Sequence, residues 1–443
     1  MDNISPIDGR YQEITSVLSE YFSEFSFFKY RLYVEIMYFI ALIDILPELE
    51  ELRFDNLKSQ IVSIWENFSK DDYLKIKHYE TILKHDIKAL EYLIKEKFDE
   101  IGLNQFETFI HFGITSQDIN TSANILSLKN GLYYCVIPII KDIVTSLSLF
   151  SYNTKDDIML GYTHGQPAVP TTMRKELLVF YYRINEQLQI LENMKFTTKF
   201  GGAVGNLNAH YAAYPNIDWV SFSNNFIESL GLIREQYTTQ ISNYDNLCNV
   251  LNQVKTINNI VNDLNIDCWL YISKNYLKLR VNSDEIGSST MPQKVNPINF
   301  ENSEGNICIA NALIEGITRK ISISRLQRDL TDSTILRNLG SVLSYSLISY
   351  NSTIKGLSKI EINNEIIKAD LKNNLSVLSE GIQTILRKHR VPNSYELLHK
   401  LTRGHNITQE DLHNFIKEMP ENTQEDLKRV TLKTYIGLSE NIV

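Results

Sequence analysis

Six short polar stretches hold the side chains best suited to chemistry. GYTHGQP (161–167) places His164 between a threonine and a glycine, with Gln-Pro following. A histidine on such a turn titrates near neutral pH and can give or take a proton. The same letters also read as a helix start capped by threonine. TSQDIN (115–120) gathers Thr115, Ser116, Asp118 and Asn120. These are good helix caps, and hydroxyls with free N–H groups at a helix start also hold carboxylates or phosphates. KHD (84–86) sets His85 and Asp86 inside a helix-like run, and by itself reads as a surface triplet. QRDLTDSTILRN (327–338) looks helical and carries Arg328, Ser333 and Arg337. Residues 333 and 337 would share a face there, with 328 about a turn away. Two guanidiniums around a hydroxyl suit a phosphate, although ion pairs to Asp329 or Asp332 would explain them too. SPIDGRY (5–11) opens the chain. GSSTMPQKVNP (287–297) packs two Ser, one Lys and one Asn between a Gly and two Pro, after a stretch (232–286) free of both Gly and Pro.

Positioning such stretches needs a scaffold, and the composition points to helices. The 443 residues include only 18 Gly and 10 Pro. That length predicts two or three domains. From 246 to 264, Leu247, Val250, Leu251, Val254, Ile257, Ile260, Val261 and Leu264 form one helical stripe. Leu177, Tyr181, Ile184, Leu188 and Leu191 form a heptad-like seam suited to shallow packing in a bundle. The expected fold class is all-α in three parts. Residues 1–106 form an N-terminal helical domain, 107–356 a central long-helix bundle, and 357–443 a C-terminal helical domain. The net charge of -9 argues against a general nucleic-acid binder. Cys135, Cys248, Cys268 and Cys308 lack metal-ligand spacing and read as buried free thiols in a reducing compartment. The N-terminus lacks a signal-peptide pattern, and the apolar windows 33–46 and 132–144 are short and charged. Cytoplasm, with no membrane partner, is the expectation.

GSSTMPQKVNP resembles the GSSxMPxKxNP loop of the fumarase/aspartase superfamily at every fixed position. SPIDGRY, KHD, TSQDIN, YTHGQP with PTTMRKE, GAVGNLNAHYAAYP (202–215), TTQI (238–241), FENSEGN (300–306), SRLQRDLTDSTILRN (324–338) and YIG (435–437) resemble, in order, the bacterial adenylosuccinate lyase family. The resemblance implies the L-aspartase-like fold, a homotetramer whose helices share one core, and active sites built by three subunits. It implies β-elimination of fumarate from adenylosuccinate, giving AMP, and from succinylaminoimidazolecarboxamide ribotide, giving AICAR. By the same resemblance Ser289 is the general base and His164 the general acid oriented by Glu301. Lys294 and Asn296 stabilise the dianion. Thr115, Ser116 and Gln240 meet the substrate, as do His85 and Asp86. Arg10, Tyr11, Arg328, Ser333 and Arg337 take the phosphate and ribose. No cofactor or metal is implied. Gln293 stands where this family has His and argininosuccinate lyases have Gln, which makes the latter, or another fumarate-releasing lyase of the superfamily, the alternative. Gln117 stands where Glu is usual.

Overall fold

The computed structural model describes residues 3–280, 291, 294–402 and 407–439. The chain divides into two compact units. The expected all-α architecture is observed, with three small two-stranded sheets among the described residues.

The first unit comprises residues 1–139, 187–259 and 305–351. Its central element is the Glu24–Ile45 helix, started by Ser23, whose hydroxyl accepts from the Ser26 N–H at 3.1 Å. Phe28, Leu32, Val34, Ile36, Phe39 and Leu42 are buried, so more than one face is covered, as a core helix requires. It packs on the Asp55–Glu66 and Ser116–Gly131 helices. The close fit depends on glycine. A Cβ on Gly131 or Gly340 would come within 2.5 or 2.6 Å of Phe22. All eight stripe residues between 246 and 264 are buried, within the Asp245–Ser273 helix. In this unit Asn258 binds Asn311 (3.0 Å) and Ser346 (3.2 Å), and accepts from Tyr350 (2.6 Å). A buried amide with its hydrogen bonds made fixes helix register where apolar packing alone tolerates sliding.

The second unit comprises residues 140–186, 260–304 and 352–443. An antiparallel hairpin joins Ile158–Thr163 to Gln166–Thr172. Asp370 accepts from Tyr162 at 2.8 Å and from Tyr276. Asn265 binds Ser303 (2.8 Å) and Thr353 (3.0 Å), repeating the buried-amide theme. Leu375, Leu378, Ile382, Leu386, Leu412, Phe415 and Leu427 form the core of the C-terminal helices.

Two sequence readings change. The run 116–153 is one continuous helical stretch, and by length and composition it could cross a membrane, which the 132–144 window alone did not suggest. Ile119, Ala123 and Leu128 are nevertheless fully buried, the place of core residues. Its π-turn at Leu132–Val136 abuts Pro138, which lacks the N–H that regular helix needs. Of the four thiols, only Cys135 and Cys268 are buried, whereas Cys308 is exposed.

Candidate active site

KHD marks a helix junction, not a helix interior. The Lys70–Leu83 helix ends with Lys84 at φ 55, and His85 caps the Asp86–Glu100 helix. The His85 Nδ1 accepts from the Lys88 N–H at 3.1 Å. With Nδ1 an acceptor, the neutral ring carries its proton on Nε2. Asp86 accepts from the Arg31 guanidinium at 2.6 Å and from the Ile87 N–H at 2.9 Å. Burial would push the Asp86 carboxyl up, but the Arg31 charge and these hydrogen bonds hold it below the usual range.

In TSQDIN the aspartate serves the scaffold. Asp118 is fully buried and accepts from Thr115 N–H (2.8 Å), Lys199 Nζ (2.7 Å) and Gly201 N–H (2.8 Å). Lys199 is equally buried and also donates to the Gly202 carbonyl at 2.6 Å. Burial lowers the Lys199 pKa, with Asp118 opposing. This ion pair joins the glycine-rich 201–205 loop to the start of the Ser116–Gly131 helix. Ser116 and Gln117 then line a cavity, and the Gln117 amide donates to the Ser333 hydroxyl at 3.3 Å.

Residues 235–244 fold as a loop despite having no Gly or Pro. The Glu235 carboxylate gathers it by accepting from Thr197 (2.8 Å), Ser242 (2.7 Å) and the Asn243 N–H (3.0 Å). The loop delivers Gln240, whose side-chain oxygen accepts from Arg328 at 2.9 Å. Only Thr331–Leu336 of the 327–338 stretch is helical. Tyr244 anchors that helix through Asp332 at 3.0 Å. Arg328, Ser333 and Arg337 nonetheless line one cavity of about 330 Å³ together with His85, Asp86 and Ser116. Its basic groups are Arg31, Lys84, Arg328 and Arg337, against Glu80 and Asp86. That excess suits an anionic ligand.

Thr115, Arg10 and Tyr11 do not line this cavity. The Arg10 guanidinium lies 5.9 Å from the Tyr11 ring centre. Neighbouring Asp8 and Gln12 share an adjoining cavity of about 380 Å³ with Arg337. Arg31, Lys199 and Glu235 are the organising residues that motif reading missed. The one available signal was a charged residue inside an apolar run, as Arg31 is in FKYRLYVEI.

In the second unit, His164 and Gly165 are the two residues between paired Thr163 and Gln166, at φ 52 and 73. Two left-handed residues make the turn that best matches strand twist in a two-residue hairpin. His164 is therefore on a hairpin tip, not a helix start, and its side chain is exposed. Ser289, with Gly287 and Gln293, lies outside the described residues. Lys294 is exposed and its N–H donates to the Met291 carbonyl at 3.0 Å. Asn296 is half-buried just ahead of the Ile298–Ile321 helix. Glu301, in that helix's first turn, accepts from Trp269 Nε1 at 3.0 Å. Among the described residues no hydrogen bond joins Glu301 to His164.

Residues 9–310 match the Lyase family model, and residues 324–436 match Adenylosuccinate lyase C-terminal. The chain is 48% identical to an adenylosuccinate lyase of Dictyostelium discoideum, covering 98% of this chain and 96% of that one. It is 46% identical to one from Legionella pneumophila (strain Corby), covering 100% and 98%. A fumarate lyase from Mesorhizobium sp. BNC1 superposes with a TM-score of 0.74 over 96% of this chain and 95% of that one. At 16% identity that likeness shows the fold alone.

Proposed function

The chain belongs to the adenylosuccinate lyase family of C–N lyases, and on that premise we propose that it releases fumarate from adenylosuccinate, leaving AMP, and from succinylaminoimidazolecarboxamide ribotide, leaving AICAR. The observation that carries the substrate class is the cavity where Arg328, Ser333 and Arg337 converge with an excess of positive charge. Argininosuccinate has no phosphate to use it.

The chemistry assigns work to the remaining residues. A proton leaves the carbon next to a carboxylate, and the charge spreads into that carboxylate as a dianion. Ser289 takes the proton. Lys294 and Asn296 face the dianion, because positioned charge and N–H donors stabilise what develops in the transition state. The C–N bond then breaks, its electron pair stays on nitrogen, and His164 supplies the proton that nitrogen needs. A serine hydroxyl is a weak base unless nearby positive charge holds it as alkoxide away from water.

The homotetramer belongs to this reading. The single chain leaves Ile266, Trp269 and Leu270 exposed on one long helix, at the spacing of one face. Val179 and Tyr182 on the Met173–Glu192 helix are exposed too. Such surfaces call for a second copy. Glu301 and His164 meet, in this reading, across subunits. The three-domain boundaries and cytoplasmic location stand as part of the same proposal.

The test is an absorbance assay with purified protein, following fumarate and AMP from adenylosuccinate, with argininosuccinate run in parallel. Turnover of adenylosuccinate alone is expected. Turnover of argininosuccinate, or of neither, overturns the reading.

A further inference from the structure

Arg31 has no place in the chemistry above, yet it lies at the wall of the anion cavity. Its side chain is only 6% exposed. The guanidinium is held between aromatic rings, 3.9 Å from the Phe27 centre and 4.8 Å from that of Phe28. Nη2 donates to Asp86 at 2.6 Å, and Nε donates to Asn120 at 2.8 Å. One side chain thus spans three helices: Glu24–Ile45, which carries it, Asp86–Glu100 and Ser116–Gly131. The two residues it grips belong to KHD and TSQDIN, stretches far apart in sequence.

Burying a guanidinium is unfavourable unless it is paired and hydrogen-bonded. A merely structural role would be filled as well by apolar side chains of similar volume. Here the planar fork reaches two partners at fixed angles, which a point charge could not do. The location also matters. Arg337 lines the same cavity and is near enough for its charge to disfavour that of Arg31. Burial is the larger penalty on the Arg31 charge and Asp86 the main compensation, and a bound dianion would add to that compensation.

We propose that Arg31 is a positioning residue of the anion site, holding Asp86 and Asn120 so that the helix junction at His85 and the helix start at Ser116 keep their places around a bound phosphate ester. The proposal rests on the nucleotide reading of the cavity. Arg31 acts through the residues it orients and takes no part in proton transfer. Its loss therefore falls on binding more than on turnover.

The experiment uses the full chain with Arg31→Met, Arg31→Lys, Asp86→Asn and the Arg31→Met/Asp86→Asn double variant. KM and kcat for adenylosuccinate, AMP affinity by calorimetry and the thermal midpoint are measured for each. In Arg31→Met, KM and the AMP dissociation constant should rise roughly ten- to hundredfold, as when one partner of a buried charge pair is removed, while kcat changes less than about threefold. The double variant should lose less than the sum of the two single losses, because positions acting as one unit are not additive. Arg31→Lys should recover part of the affinity, since it reaches Asp86 but cannot also hold Asn120. Unchanged AMP affinity and KM in a folded Arg31→Met protein, or fully additive losses, would overturn the proposal. Should Arg31→Met fail to fold, Arg31→Lys and Asn120→Ala carry the same comparison, and wild-type affinity in both refutes it. Should the wild type turn over no adenylosuccinate, the functional reading falls. Inorganic phosphate as the calorimetric probe then still decides whether Arg31 shapes an anion site.

Discussion

His210 offers a sharp test of the packing beneath the site. Its ring is fully buried, 4.7 Å from Trp219 and edge-on to Phe112. The Tyr38 hydroxyl donates its one proton to the Phe112 carbonyl at 2.7 Å. The His210 Nε2, 2.8 Å from that hydroxyl, must therefore be the donor between them. Nδ1 is left as a bare acceptor, buried and without a partner among the described residues. Protonation would place an N–H there with nothing to receive it. Burial accordingly pushes the pKa down to about 4, with Asp118 opposing and Lys199 adding to the fall. An unfolded histidine titrates near about 6.5. Between these values the unfolded chain binds more protons, so stability rises with pH and is lost as pH falls. At about 1.36 kcal/mol per unit, the loss from pH 7 to pH 5 is about 2 kcal/mol. His111, paired with Glu35 at 2.5 Å, has its pKa raised instead. Its contribution grows as pH falls from 7 and is complete only well below about 6.5, so it opposes the loss in both proteins and cancels in their comparison. The assay is urea unfolding at fixed protein concentration at pH 7 and pH 5, for wild type and His210→Phe. The wild type should lose about 2 kcal/mol more than the variant over this interval. Equal pH slopes, or an NMR titration of His210 with a midpoint above about 6, would refute the argument.

Other outcomes follow from the same geometry. Lys199→Met strands Asp118 as a buried unpaired charge and should cost about 3–5 kcal/mol in urea unfolding; a loss below about 1 kcal/mol would show that the pair is not holding the loop. Gly113→Ala places a Cβ 3.0 Å from the His210 ring at φ 70. That should cost about 2 kcal/mol, read as a lowered thermal midpoint. Ser289→Ala and His164→Asn should each lower kcat by several orders of magnitude in a folded protein. A loss under about tenfold, roughly 1.4 kcal/mol, would mean the roles are assigned wrongly. Dilution to monomer should abolish activity, and a monomer verified by sedimentation that still turns over substrate would remove the shared-site argument.

What the sequence showed was whatever depends on near neighbours along the chain. The 246–264 stripe is legible because helical burial repeats every three or four residues, and every member is buried. The preceding 235–244 loop was illegible for the opposite reason. Glu235 folds it by binding Thr197 as well as its own neighbours, and that partner is 38 residues away. The break at KHD escaped notice because a left-handed lysine and a capping histidine are unusual choices for a helix boundary. Arg328, Ser333 and Arg337 were readable as one group from their types and spacing, and they do line one cavity. Arg31 was not, since its meaning lies in Asp86 and Asn120, brought to it only by tertiary packing.

The hairpin tip at His164 and Gly165 separates what folding asks for from what is present. Two consecutive left-handed residues are best supplied by Asn-Gly or Gly-Gly, and a bulky ring at the first position gives the strand pair nothing. A chain shaped only to close this turn would drift toward asparagine. The imidazole is thus a standing cost in conformational preference, tolerated on an exposed tip that the fold itself does not use. For protein engineering this makes position 164 permissive: its removal should leave the hairpin as sound as before, or sounder, so that whatever is lost with the ring is chemistry and not architecture.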